Sequence, residues 1–98
     1  MMKFRQTKDF AKEFKKLAKK YKSLPEDLEL FKKVISVTPK GNKKHFNIIN
    51  QKENIKSIKA RLFCRYLKGA ALRIVYAYND NKIELVFIEV YFKGDKEN

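Results

Sequence analysis

Phe10, Phe14, Leu17 and Tyr21 recur at intervals of three and four, and Lys8, Lys12, Lys15, Lys16, Lys19 and Lys20 fill the positions between them. That spacing predicts an amphipathic helix over residues 8–21, with one apolar stripe and a basic back. Thr7 stands where an N-cap belongs. Ser23-Leu24-Pro25-Glu26 restarts the pattern: proline is harmless in a first turn, and Glu26 and Asp27 suit the positive end of a helix dipole. This second helix carries Leu28, Phe31, Val34 and Ile35 and must stop before Pro39. So short a linker predicts an antiparallel hairpin.

Beyond Ile55 the period falls to two. Residues 55–67 alternate, Lys68-Gly69 turns the chain, residues 71–78 are β-rich, and Asn79-Asp80-Asn81 suits a hairpin turn into the most apolar stretch, 82–92. Met2 to Gln6 reads as a short opening strand. Residues 39–54 are polar, rich in Asn and Lys, and read as an irregular loop pinned by Phe46, Ile48 and Ile49. The order β-α-α-β-β-β predicts an α+β fold, an antiparallel sheet with the helical hairpin packed on one face. Ninety-eight residues, 44% of them hydrophobic, suffice for one domain over residues 1–98, with residues 94–98 as a polar tail.

The phase of the strands locates the chemistry. Turning Ile58, Ala60, Leu62, Cys64 and Tyr66 toward the helices sends Lys59, Arg61, Phe63 and Arg65 to the opposite face. Leu72, Ile74 and Tyr76 inward leave Arg73 and Val75 outward. In the last strand Val86, Ile88, Val90 and Phe92 inward leave Phe87, Glu89, Tyr91 and Lys93 beside Arg73. The helix-free face is therefore expected to gather five cations, three aromatic rings and a single carboxylate.

Charge gives that face a partner. A net charge of +13 is costly self-repulsion in so small a chain, and a polyanion is the usual reason to carry it. Arginine forks grip phosphate oxygens and exposed rings stack on unpaired bases, so the mixture suits single-stranded RNA. The plain alternative is a solvated basic face with Glu89 ion-paired to Arg73. One cysteine and one histidine exclude an internal disulfide and a multi-ligand metal site, and no cofactor is expected. His45, between Lys44 and Phe46, reads as a loop residue, and Cys64 as a small buried hydrophobe. No apolar run is long enough to span a bilayer and none resembles a secretory leader, so a cytoplasmic protein without a membrane partner is expected.

The segments Ile58-Lys59-Ala60-Arg61-Leu62, Leu72-Arg73-Ile74-Val75-Tyr76 and Val86-Phe87-Ile88-Glu89-Val90-Tyr91-Phe92-Lys93 resemble the last three strands of the RelE/ParE toxin superfamily, and the helix from Phe10 to Leu17 fits it as well. The resemblance implies a cytoplasmic toxin neutralised by an acidic antitoxin. In the RelE branch it implies metal-independent cleavage of mRNA in the ribosomal A site, the 2′-hydroxyl attacking the adjacent phosphate and leaving a cyclic phosphate. On this footing Arg73 would stabilise the charged transition state. Lys59 and Arg61 would hold the phosphate backbone and favour ionisation of the attacking hydroxyl. Lys93 would add a basic contact, Glu89 or Tyr91 would act as general base or proton relay, and Arg65, Phe63, Phe87 and Tyr91 would bind RNA. Many RNA-cleaving members carry a late histidine or tyrosine near the C-terminus, and the closing stretch to Asn98 is read as supplying neither. Two other activities fit the resemblance: a ParE-like, non-nucleolytic toxin acting on DNA gyrase, and a degenerate module that binds RNA or antitoxin without chemistry.

Overall fold

The computed structural model describes residues 2–40, 46–67 and 71–92. β1 (Lys3–Gln6) leads into α1 (Lys8–Lys20) and α2 (Leu24–Val37), and these are followed by β2 (Phe46–Lys52), β3 (Ile55–Phe63), β4 (Ala71–Asn79) and β5 (Glu84–Phe92), with a turn of 3-10 helix at Arg65–Leu67. Thr7 caps α1 as its type suggests, its Oγ1 accepting from the Phe10 N–H at 3.0 Å. The same residue ties the helix start to β5, donating from its N–H to the Phe87 carbonyl and from Oγ1 to the Ile88 carbonyl.

The sheet order is β1-β5-β4-β3-β2. β3, β4 and β5 form the expected antiparallel meander, while β1 runs parallel to β5 and makes the sheet mixed. The hairpin packs on one face, where Phe10, Leu24, Phe31 and Ile35 meet Ile58, Leu62, Ile74, Tyr76 and Leu85 in one core cluster.

Residues 46–52, expected to lie in a loop, form the edge strand β2, antiparallel to β3. Only Phe46 is drawn inward, stacking on Phe31 at a centroid distance of 6.1 Å, and the rest of the strand is exposed. A strand with water on both faces has no apolar alternation to reveal it.

β5 departs from simple alternation. Val75 stands opposite Glu89 and the next residue, Tyr76, stands opposite Phe87, so Ile88 is an extra residue, a β-bulge that reverses side-chain phase. Phe87 consequently belongs to the core: it is 1% exposed and stacks on Phe10 at 5.2 Å and Phe4 at 6.0 Å. The expectation that Phe87 binds RNA on the outer face is thereby corrected. Ile88, expected inside, is turned out.

Arg65 is the second correction. β3 ends at Phe63 and the chain bends into the 3-10 turn, so Arg65 no longer follows the strand's alternation. Its Nε donates to Asp27 Oδ1 at 3.1 Å and its Nη2 to Glu26 Oε2 at 2.9 Å, fastening the end of β3 to the first turn of α2. Asp27 is 4% exposed and fully engaged, accepting also from the Arg65 N–H and from Ser23 Oγ, which in turn accepts from the Tyr66 N–H. Burial alone would push the Asp27 carboxyl up; hydrogen bonds from Ser23, Cys64 and Arg65 outweigh it and hold the group below the ordinary carboxylate value.

Two measurements check these features. In urea unfolding, Phe87→Ala is expected to cost about 3–5 kcal/mol, as for a fully packed core ring, and Ile88→Ser no more than about 0.5 kcal/mol, as at an ordinary surface position. The reverse ranking would remove the bulge. Because the folded pKa of Asp27 lies below its unfolded value, its stabilisation is present above the usual carboxylate range and is lost as pH falls through the lowered folded value. Asp27→Asn should therefore be less stable at neutral pH by about 1–3 kcal/mol, with the gap to the wild type narrowing on acidification below about pH 4.

Candidate nucleic-acid interface

The register of the three central strands assembles the helix-free face in rows. Arg61 pairs with Arg73, and Arg73 with Tyr91; one row along, Lys59 pairs with Val75, and Val75 with Glu89. Directly opposed residues of antiparallel strands have Cα atoms about 4.5–5.5 Å apart, and diagonal neighbours about 7–8 Å. Arg61, Arg73, Tyr91, Lys59 and Glu89 thus share one patch, as the strand phase predicts. Phe63 lies beyond Arg61, opposite Ala71, and is half-exposed. Tyr91 is largely covered yet stands outside the core cluster.

The opposition of Arg61 and Arg73 is the informative contact. Like charges directly across a strand pair destabilise it. Among the described residues no ion pair engages either guanidinium. An anion between the two forks would turn the repulsion into a clamp, each guanidinium presenting parallel N–H groups to phosphate oxygens.

Sequence reasoning missed one member of the patch. Asn47 on β2 pairs with Lys59 and extends its row to the sheet edge. Its signal was hidden because the segment did not alternate, and only the inward turn of Phe46 fixes which face Asn47 takes. At the other edge Arg5 reaches Glu84 at 3.5 Å and adds to the field without a free fork. Glu89 borders the patch, lining also a shallow groove of about 490 Å³ with Lys12 and Lys16 of α1. Lys93 lies outside the described residues, and Phe87 and Arg65 are committed to the core and to α2.

By backbone register the face brings together two arginines at opposed positions, a lysine one row away, a tyrosine opposite Arg73 and a glutamate diagonal to it. These are suited to holding a phosphodiester and moving a proton near it. No described helix is long and apolar enough to cross a membrane.

No family model matches the sequence, and no curated protein matches it. The fold does find counterparts among solved structures. A chain of the archaeal RelE-RelB complex from Pyrococcus horikoshii OT3 superposes with a TM-score of 0.71 at 16% identity, over 95% of this chain and 96% of that one. The likeness extends across both helices and the whole mixed sheet, and it establishes that this chain has a RelE-like fold.

Proposed function

We propose that the protein is a RelE-like toxin that cleaves mRNA on the ribosome and is held in check by an acidic antitoxin. The observation that carries the reading is the Arg61–Arg73 opposition beside Tyr91, on the helix-free face of a RelE-like fold. The solved neighbour is itself part of a complex with RelB, and the +13 charge of this chain suits an acidic partner as well as RNA.

In this mechanism the RNA backbone lies across β3, β4 and β5. The 2′-oxygen attacks the adjacent phosphorus, the bond to the 5′-oxygen breaks, and a 2′,3′-cyclic phosphate remains. Arg73 and Arg61 neutralise the charge that grows on the non-bridging oxygens as the phosphorus becomes five-coordinate. Lys59 favours ionisation of the 2′-hydroxyl, and Glu89 accepts its proton. Tyr91, next to Arg73, relays a proton to the departing 5′-oxygen. Phe63 stacks on a base beside the cut. The protein's part is to position the attacking oxygen and to preorganise charge around the phosphate, which the rigid sheet is suited to do.

Two experiments test this. On induction in cells, the wild type is expected to arrest growth with mRNA cut within translated regions, and Arg73→Ala to lower cleavage by about 10²–10³-fold, the usual loss when one oxyanion-stabilising group is removed. Equal toxicity of Arg73→Ala, with intact mRNA and a DNA-damage response, would replace the nucleolytic reading with the gyrase-directed one. In vitro, three phosphate contacts from Lys59, Arg61 and Arg73 predict that log K for single-stranded RNA falls with log salt at a slope of about −2, and that each alanine variant reduces the slope by about 0.7. An affinity that stays flat with salt would contradict any backbone contact by these residues.

A further inference from the structure

The helix-free face is not uniformly charged. Along β3 its outward positions are Ser57, Lys59, Arg61 and Phe63, and the pairing with β2 sets Asn47 beside Lys59 and Asn50 beside Ser57. Where β3 carries cations, β2 therefore adds carboxamides. Asn47 is exposed, and its place is fixed from the other side of the sheet. Phe46, one residue earlier, pairs with Ala60 and stacks on Phe31 at a centroid distance of 6.1 Å, so β2 cannot rotate Asn47 inward without pulling that ring from its partner.

The two residue types suit different parts of a nucleic acid. Cations hold phosphates and so fix where the strand lies, whereas a base is told from its neighbours by groups that meet its edge. A carboxamide donates and accepts through adjacent atoms. Adenine answers it with an N6 amino donor beside the N7 acceptor, and again with N6 beside N1. Guanine shows two acceptors at its N7 edge, which suits arginine or lysine, and the pyrimidines offer a matched pair on their pairing edge alone. Adenine is thus the base that a carboxamide can engage from either side.

The distances allow it. Asn47 lies one and a half strand spacings to the side of the Arg61–Arg73 midpoint and one row along, about 10 Å on the diagonal. An unpaired nucleotide can span that interval from its phosphate to the far edge of its base. Phe63 lies one row the other way from Arg61. A phosphodiester held at the two arginines then has a ring on one side of it and a carboxamide on the other, one for each flanking base.

We propose that Asn47 is a specificity-determining residue, its carboxamide pairing with an adenine that adjoins the phosphate held at Arg61 and Arg73. This deepens the proposed function and rests on its placing of RNA across β3, β4 and β5.

Ribosome-bound messages that differ only in the two nucleotides flanking the cut test it. The wild type is expected to cleave with adenine at one of those positions about tenfold faster than with uracil or cytosine, as one bidentate base contact gives. Asn47→Ala should bring cleavage at adenine down to the uracil rate, while Asn50→Ala, one step farther from the arginines, should keep the preference. Arg73→Ala should slow cleavage at every base alike. Equal rates at all bases in the wild type, a preference for a base other than adenine, uniform slowing by Asn47→Ala, or a preference lost in Asn50→Ala and kept in Asn47→Ala would each overturn the assignment. A second measurement does not depend on cleavage: anisotropy of a fluorescein-labelled oligouridylate against the same oligomer with one central adenosine, at about 50 mM salt, where backbone contacts are strong. The wild type should bind the adenosine-bearing oligomer more tightly, and Asn47→Ala should bind the two equally. A wild type that cuts no message but keeps this Asn47-dependent preference sinks the nuclease and leaves the base contact standing. One that cuts without regard to base keeps the nuclease and loses the contact.

Discussion

The register between β3 and β4 is the constraint on which the rest of the molecule turns. On the helix side it sets Ile58, Ala60 and Leu62 against Tyr76, Ile74 and Leu72, all buried. A slip of one residue would turn that whole set out to water. The same register sets Arg61 against Arg73 on the other face, and the repulsion between them cannot be relieved by sliding, because the buried face forbids it. The core therefore holds two cations in an arrangement that the outer face, left to itself, would avoid.

Much of this was legible in the alternation of β3 and β4, where more and less buried positions alternate from Ile58 to Phe63 and from Ala71 to Asn79, and Lys59, Arg61 and Arg73 fall on the expected side. β5 was legible only in part. From Leu85 to Phe92 nearly every position is apolar, so the sequence defines a strand but not its phase, and the bulge at Ile88 divides it into two halves of opposite sense. Glu89 and Tyr91 follow the phase of the second half; Phe87 follows the first and joins Phe4 and Phe10 in the core. Composition cannot announce a bulge whose extra residue is as apolar as its neighbours.

Arg65 and β2 were hidden for a different reason: their placement depends on partners far along the chain. Asp27 reads locally as an acid favourable to a helix start, and it is one. Its burial against Ser23 and the Arg65 backbone is what bends the chain out of the strand after Phe63. β2 exists because β3 offers it a ladder and Phe31 offers Phe46 a ring to stack on, neither of which is encoded within residues 46–52. Asn47, Asn50, Gln51 and Lys52 keep much of this edge strand polar, which blunts the sheet against unwanted pairing.

The distribution of the two cation types separates general charge from recognition. Of the 24 basic residues only four are arginine, at positions 5, 61, 65 and 73. A chain that merely decorates its surface with positive charge has no cause to place these differently from its lysines. Arg5 and Arg65 are each held by carboxylates, one tying β1 to β5 through Glu84 and the other tying the end of β3 to α2. Arg61 and Arg73 face each other on the sheet. Lysine is a strongly hydrated point charge, adequate for a long-range field, whereas the guanidinium fork is suited to a fixed geometry with carboxylate or phosphate. The lysines along α1 then supply steering toward any polyanion. Two arginines do structural work, and the remaining pair stands at directly opposed positions of β3 and β4. Arg61 also lines the apolar groove beside α2, so its side chain reaches the edge of the sheet as well as its outer face.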